Sequence, residues 1–174
     1  MSIVPETKDW TWVLNRACPE CGFDTRTVRH EDVPTLIRDA ATRWGDLLET
    51  SDVLRRSPAA EVWSPLEYGC HVRDVFRLYH ERLLLMLTRD DPVFRNWDQD
   101  ATAIADRYRE QNPVEVASEL RTAAESLALK FDGLTGTMWD RPGQRSDGAA
   151  FTVESFGRYL IHDPIHHLHD VGGR

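Results

Sequence analysis

The sequence has few cysteines, no long apolar run and no excess of positive charge. Three cysteines in 174 residues cannot all pair within the chain. This argues against a disulfide scaffold and for a reducing compartment. The longest apolar run, Leu83 to Leu87, is five residues, far short of the ~20 that span a bilayer. The stretch from Met1 to Asp9 lacks a basic start and an apolar core, so no targeting segment is read from it. These absences together lead us to expect a cytoplasmic location. A formal net charge of −8 argues against nucleic acid or an anionic membrane as a partner. There is no internal repeat, no domain linker and no convincing sheet pattern.

What is present suits one soluble domain with a sizeable core, at 29% charged residues. Residues 1–30 read as an irregular N-terminal arm, in which Trp10 to Leu14 is a short strand or a helical turn. The arm contains Cys18-Pro-Glu-Cys21-Gly22. That spacing has the form of a zinc knuckle, where a tight turn aims backbone N–H groups at two thiolates. Structural zinc needs four ligands, no second such pair exists, and His30 and Cys70 are the spare partners of suitable type. A thiol redox pair is a second reading of Cys18 and Cys21. A turn with two partly buried thiols is the plain alternative.

Residues 31–174 read as a helical bundle. The first helix is expected from about Val33 to Leu54, with Asp32 as cap and Pro34 in the first turn. The second has the clearest start: Ser64 as N-cap, Pro65 at the first position and Glu67 at the third form a capping box. Trp63 is placed to staple that entry against Tyr68, and the helix continues to Leu87. A short helix is expected over Ala101 to Glu110, and a third long one from Pro113 to Asp132, capped by Asn112. Gly133 to Gly148 reads as a long loop. The fourth long helix starts near Thr152. Four amphipathic segments of this kind predict an all-α four-helix bundle.

The chemistry concentrates in the last helix, where four histidines fall between His162 and His169. Residues four apart on a helix share a face, offset by roughly 40° and about 6 Å. His162 and His166 are therefore one candidate metal pair. His71, beside the inward stripe of the second helix, is the candidate third ligand. Glu67, Asp74 and Asp170 lie within a turn of these histidines and are candidates to orient them. His169 is an alternative ligand, able to pair with His166. His167 projects ~140° from His162, toward solvent or an interface. Pro164 between the paired histidines either kinks the helix or breaks it.

Trp63-Ser-Pro-Leu-Glu-Tyr-Gly-Cys-His71, followed much later by His162 and His166, resembles the DinB/YfiT-like superfamily over about residues 30–170. The resemblance implies an up-down-down-up four-helix bundle, often dimeric, and a divalent metal, zinc or nickel, on three histidines. Carried over by position, those are His71, His162 and His166. The superfamily includes bacillithiol S-transferases and mycothiol-dependent maleylpyruvate isomerases. A metal-dependent thiol S-transferase using a low-molecular-weight thiol and an electrophile is therefore the first expectation. Arg73, Arg77, Arg82 and Arg158 are candidates to bind a carboxylate. A non-catalytic metal- or ligand-binding bundle and a hydrolase using metal-bound water are the alternatives. Cys18 and Cys21 lie outside the shared pattern.

Overall fold

A computed structural model describes residues 9–172 except 52, 60 and 61. The stretch read for a targeting segment falls mostly outside these residues, as does the end of the Val171–Arg174 tail. Four long helices form the bundle: α1 (Val33–Thr50), α2 (Pro65–Thr88), α4 (Pro113–Asp132) and α5 (Val153–Asp170). The short α3 (Gln99–Ala105) lies between α2 and α4. Helix α4 packs along both α1 and α2, and α5 closes the bundle against the same two helices. Side chains such as Trp44, Leu66, Phe76, Leu120, Phe131 and Phe156 are fully buried between them. No described helix is long and apolar enough to cross a membrane.

The local chemistry explains most boundaries. Ser64 accepts from the Glu67 N–H, and the Glu67 carboxylate accepts from the Ser64 N–H at 2.8 Å, completing the expected capping box. Trp63 and Tyr68 meet with ring centroids 5.4 Å apart, as a staple requires. Asn112 caps α4 through the N–H groups of Val114 and Glu115. Thr152 caps α5 in a reciprocal box with Ser155.

Three expectations change. Helix α1 stops at Thr50 rather than Leu54, because Ser51 turns to an extended conformation. Asp32 precedes α1 without capping it through its side chain, because a single 3₁₀ turn, His30–Asp32, already leads into the helix. The short helix ends at Ala105, and a separate 3₁₀ turn covers Tyr108–Glu110 after Arg107, whose φ is +50°.

The long connections are also more ordered than their sequence suggests. They contribute a three-stranded sheet, β1 (Val93–Phe94), β2 (Pro142–Arg145) and β3 (Ala150–Thr152), in that spatial order. Strand β1 runs parallel to β2, and β3 antiparallel to it. Two to four residues are too few to show a period of two, which is why no strand was legible. Gly143 lets β2 approach closely: a Cβ there would sit 2.7 Å from Phe94 and 2.8 Å from Met86.

Helix α5 stays continuous through Pro164. The Trp44 indole N–H donates to the Pro164 carbonyl at 3.0 Å, tying α1 to this turn. Phe156, Leu160, Ile161, Pro164 and Leu168 face the core. The polar residues between them are left to meet α2 on one side and the N-terminal arm on the other.

Candidate metal centres

The sequence His162-Asp163-Pro-Ile-His166-His167 contains two interleaved pairs four residues apart. They differ by one position, hence by about 100° around the helix. The structure sends them to different neighbours.

Asp163 and His167 meet His71 of α2. The carboxylate of Asp163 lies 3.4 Å from His71 Nε2 and 3.8 Å from His167 Nε2. One ligand atom from each of the three lies within 4.8 Å of the others. His71 is 1% exposed. Its ring stacks on Trp97 at 5.3 Å with an interplanar angle of 11°, and Trp63 packs on it at 5.3 Å. His167 Nδ1 is 2.9 Å from Asp170, so the carboxylate accepts from Nδ1–H and turns Nε2 toward the group.

Two features fit a cation here. Asp163 Oδ1 is buried and makes no hydrogen bond among the described residues. The Asp163 oxygen is an unpaired acceptor that a positive charge would satisfy. The spacing also fits, because nitrogen and oxygen ligands at about 2.1 Å from a tetrahedral ion stand about 3.4 Å apart. Burial pushes the Asp163 carboxyl up, but the imidazoles of His71 and His167 outweigh it and hold the carboxyl at about 2. It is therefore a carboxylate, the form a metal takes.

His162 and His166 turn the other way and meet the arm. Cys21 Sγ lies 3.7 Å from His162 Nε2, and Cys18 Sγ lies 3.7 Å from His166 Nδ1. These four residues form a second group within the same 4.8 Å span. Trp10 lies over both rings, 5.4 Å from His162 and 4.9 Å from His166. Burial lowers both histidines, His162 to about 4, so each imidazole is neutral at pH 7. Burial and the neighbouring Cys18 push the Cys21 thiol up to about 11.

A cavity of about 410 Å³ opens beside the first group. His71, Asp163 and His167 line it, and so do His162 and His166 of the second group, with Trp10 and Trp97 as walls and both arginines (Arg82, Arg145) and aspartates (Asp98, Asp100, Asp147) around it. Arg82 is 7% exposed and lies over the Phe94 and Tyr79 rings. Arg145 bonds the Tyr159 hydroxyl at 3.0 Å.

The structure thus divides the residues that the sequence grouped. His71 does not share a group with His162 and His166; Asp163 and His167 take those places beside it. His167, expected toward solvent or an interface, packs its ring 4.6 Å from Tyr68 and 5.1 Å from His71. Of the three carboxylates expected to orient ligands, Asp170 holds His167. Glu67 is committed to the Ser64 cap and to Arg109, and Asp74 to Arg73, Arg77 and Tyr108. His169 is exposed and joins neither group. Cys18 and Cys21 find His162 and His166. His30 instead packs on Trp139, and the Cys70 thiol points to the Tyr108 carbonyl. Of the four arginines considered, Arg82 lines the cavity; Arg73 and Arg77 pair with Asp74 and Glu119, and Arg158 with Glu154. Asp163 and His167 were missed although their spacing matches that of His162 and His166, because a carboxylate–histidine pair stands out less than a pair of histidines.

Comparison with known proteins agrees with this architecture. Among curated proteins, none matches the sequence significantly. The fold is similar to that of YfiT from Bacillus subtilis, described as a probable metal-dependent hydrolase with an unusual four-helix bundle topology. The TM-score is 0.73 at 18% identity, over 80% of this chain and 82% of that one. Residues 32–171 match the DinB superfamily, and the chain belongs to that superfamily.

Proposed function

We propose that this protein is a metal-dependent hydrolase whose divalent ion is held by His71, Asp163 and His167. The observation that carries the reading is a two-histidine, one-carboxylate group at the wall of an open cavity. Three protein ligands with space beside them are the donor set of hydrolytic zinc sites, whereas structural sites are closed by four. Zinc is the first candidate, with nickel or ferrous iron also suited to this donor set. When bound, such an ion acts as a Lewis acid that lowers the pKa of a coordinated water to about 7.

The chain's own residues do the rest. Asp170 holds His167 in one tautomer. Trp97, stacked on His71, keeps bulk water from that side of the group. Of the two arginines on the cavity, Arg145 is paired with Asp147 and Asp9, so Arg82, which donates to the Arg95 carbonyl, is the cation that would meet an anionic group on a substrate, among the lining carboxylates of Asp98 and Asp100.

Arg82 on the cavity also favours a second reading. A low-molecular-weight thiol carrying a carboxylate would fit the same cavity, with the thiolate attacking an electrophile. This thiol S-transferase reading places the protein in a thiol-rich cytoplasm. One assay set separates the two. The metal-loaded protein is tested for hydrolysis of anionic esters and amides, and for consumption of low-molecular-weight thiols with an unsaturated acid. Hydrolysis abolished by chelation and by His71→Ala supports the first reading. Metal-dependent thiol consumption without hydrolysis supports the second. Turnover that survives both chelation and His71→Ala would sink both.

A further inference from the structure

The second group stands apart from the catalytic reading. Cys18 and Cys21 precede the residues that match the superfamily, which begin at position 32. The turn that carries them is built as a knuckle. The Cys18 N–H donates to the Phe23 carbonyl at 2.9 Å, and the Gly22 N–H to the Cys18 carbonyl at 2.8 Å. Gly22 has φ +76°, a conformation that glycine adopts without strain. Both thiols are free, and Cys18 is 1% exposed.

The distances match a tetrahedral ion. Zinc–sulfur bonds of about 2.3 Å and zinc–nitrogen bonds of about 2.05 Å hold sulfur and nitrogen about 3.6 Å apart. Both cysteine–histidine pairs stand at 3.7 Å. The pairing also assigns the ligating nitrogens, Nε2 of His162 and Nδ1 of His166. The other nitrogen of His166 faces carboxylates, 3.5 Å from Glu20 and 3.7 Å from Asp170. A metal-bound histidine typically donates its second N–H in this way.

We propose that Cys18, Cys21, His162 and His166 form a closed, structural Cys₂His₂ zinc site that fastens the N-terminal arm to α5. Four protein ligands leave no position for substrate, so the site does no chemistry of its own. It joins two parts of the chain 148 positions apart. It also sets Trp10 over the histidines and into the wall of the cavity beside His71. One ion would thus shape the chamber in which the other works. Binding zinc displaces protons from the two thiols to solvent, and no oxidation state changes.

Cobalt(II) separates the two centres because only this one contains sulfur. Titrating the metal-free full chain with cobalt(II) should produce a strong near-ultraviolet sulfur-to-metal absorption and the visible bands of a tetrahedral ion. The ultraviolet band should weaken in Cys18→Ser or Cys21→Ser alone and disappear in the double variant, and the visible bands should change in His162→Ala and His166→Ala. Both should persist in His71→Ala. No sulfur band in the wild-type chain would overturn the site. A spectrum unchanged in both His162→Ala and His166→Ala would overturn the ligand set. If a variant fails to fold by circular dichroism, X-ray absorption of the cobalt-loaded wild type decides: sulfur in the metal's shell supports the site, and its absence overturns it. Metal removal should also speed tryptic cleavage at Arg16 and Arg26; an unchanged rate would overturn the fastening role.

Discussion

The indole N–H of Trp44 donates to the carbonyl of Pro164 at 3.0 Å, at the turn of α5 where the two ligand groups part. Trp44 is fully buried. Trp44→Phe keeps most of its packing and removes the bond, which should cost about 1 kcal/mol. Trp44→Ala also leaves a cavity and should cost roughly 3–5 kcal/mol. Urea denaturation of the metal-free proteins measures both. A Trp44→Phe protein as stable as wild type would mean that the bond contributes nothing beyond packing.

Asp170 should control metal affinity without being a ligand. Its carboxylate accepts from His167 Nδ1 at 2.9 Å. Replacing such an orienting carboxylate weakens metal binding by about 10–100-fold. Asp170→Asn should therefore lower affinity at the His71 centre by that factor while the fold persists. Because Asp170 also lies 3.7 Å from His166, competition with a chromophoric chelator is read in a Cys18→Ser, Cys21→Ser background, where the His71 centre alone remains complete. An unchanged value would show that His167 needs no help from Asp170.

Stability should fall in acid through Asp74. Burial raises its carboxyl, but hydrogen bonds from Arg73 and Tyr108, with Arg77 nearby, outweigh this and hold it below its ordinary 3.8. A carboxyl lowered in the folded state contributes stability above its unfolded value. That contribution is lost as pH falls from about 4 through the lowered value. Asp74→Asn should destabilise the protein by roughly 1–3 kcal/mol at pH 7, because charged partners lose their acceptor. The gap between wild type and variant should narrow below pH 4. Denaturant midpoints across pH 2.5–7 give the comparison, and a constant gap would count against Asp74.

Gly143→Ala tests the small sheet. The added methyl would sit 2.7 Å from Phe94 and 2.8 Å from Met86, both buried. Overpacking of this kind costs about 1–3 kcal/mol. Strand β2 also carries Arg145 to the cavity, so the same variant should raise KM more than it lowers kcat. A melting temperature equal to wild type would mean that the neighbours yield freely.

The helices were legible because their signals are local. Ser64, Pro65 and Glu67 act within one turn, and so do Asn112 with Pro113 and Thr152 with Ser155. The sheet was not legible, because its strands are two to four residues long and β1 pairs with β2 across some fifty positions. The site was half legible. His71 stood out through its helix and its neighbours, and the run from His162 to Asp170 through its composition. A spacing of four names residues that share a face, but it does not say which neighbour that face meets.

By itself, the sequence determined a helical bundle, its caps and the concentration of metal-binding side chains on one helix. Backbone hydrogen bonding and apolar periodicity are properties of a few adjacent residues, so composition and order suffice for these. Tertiary structure alone decided that Asp163 and His167 join His71, while His162 and His166 join Cys18 and Cys21. That choice depends on the rotation of α5 about its axis and on where the arm crosses it. Packing of Trp44, Phe156, Ile161 and Leu168 against the rest of the bundle sets both.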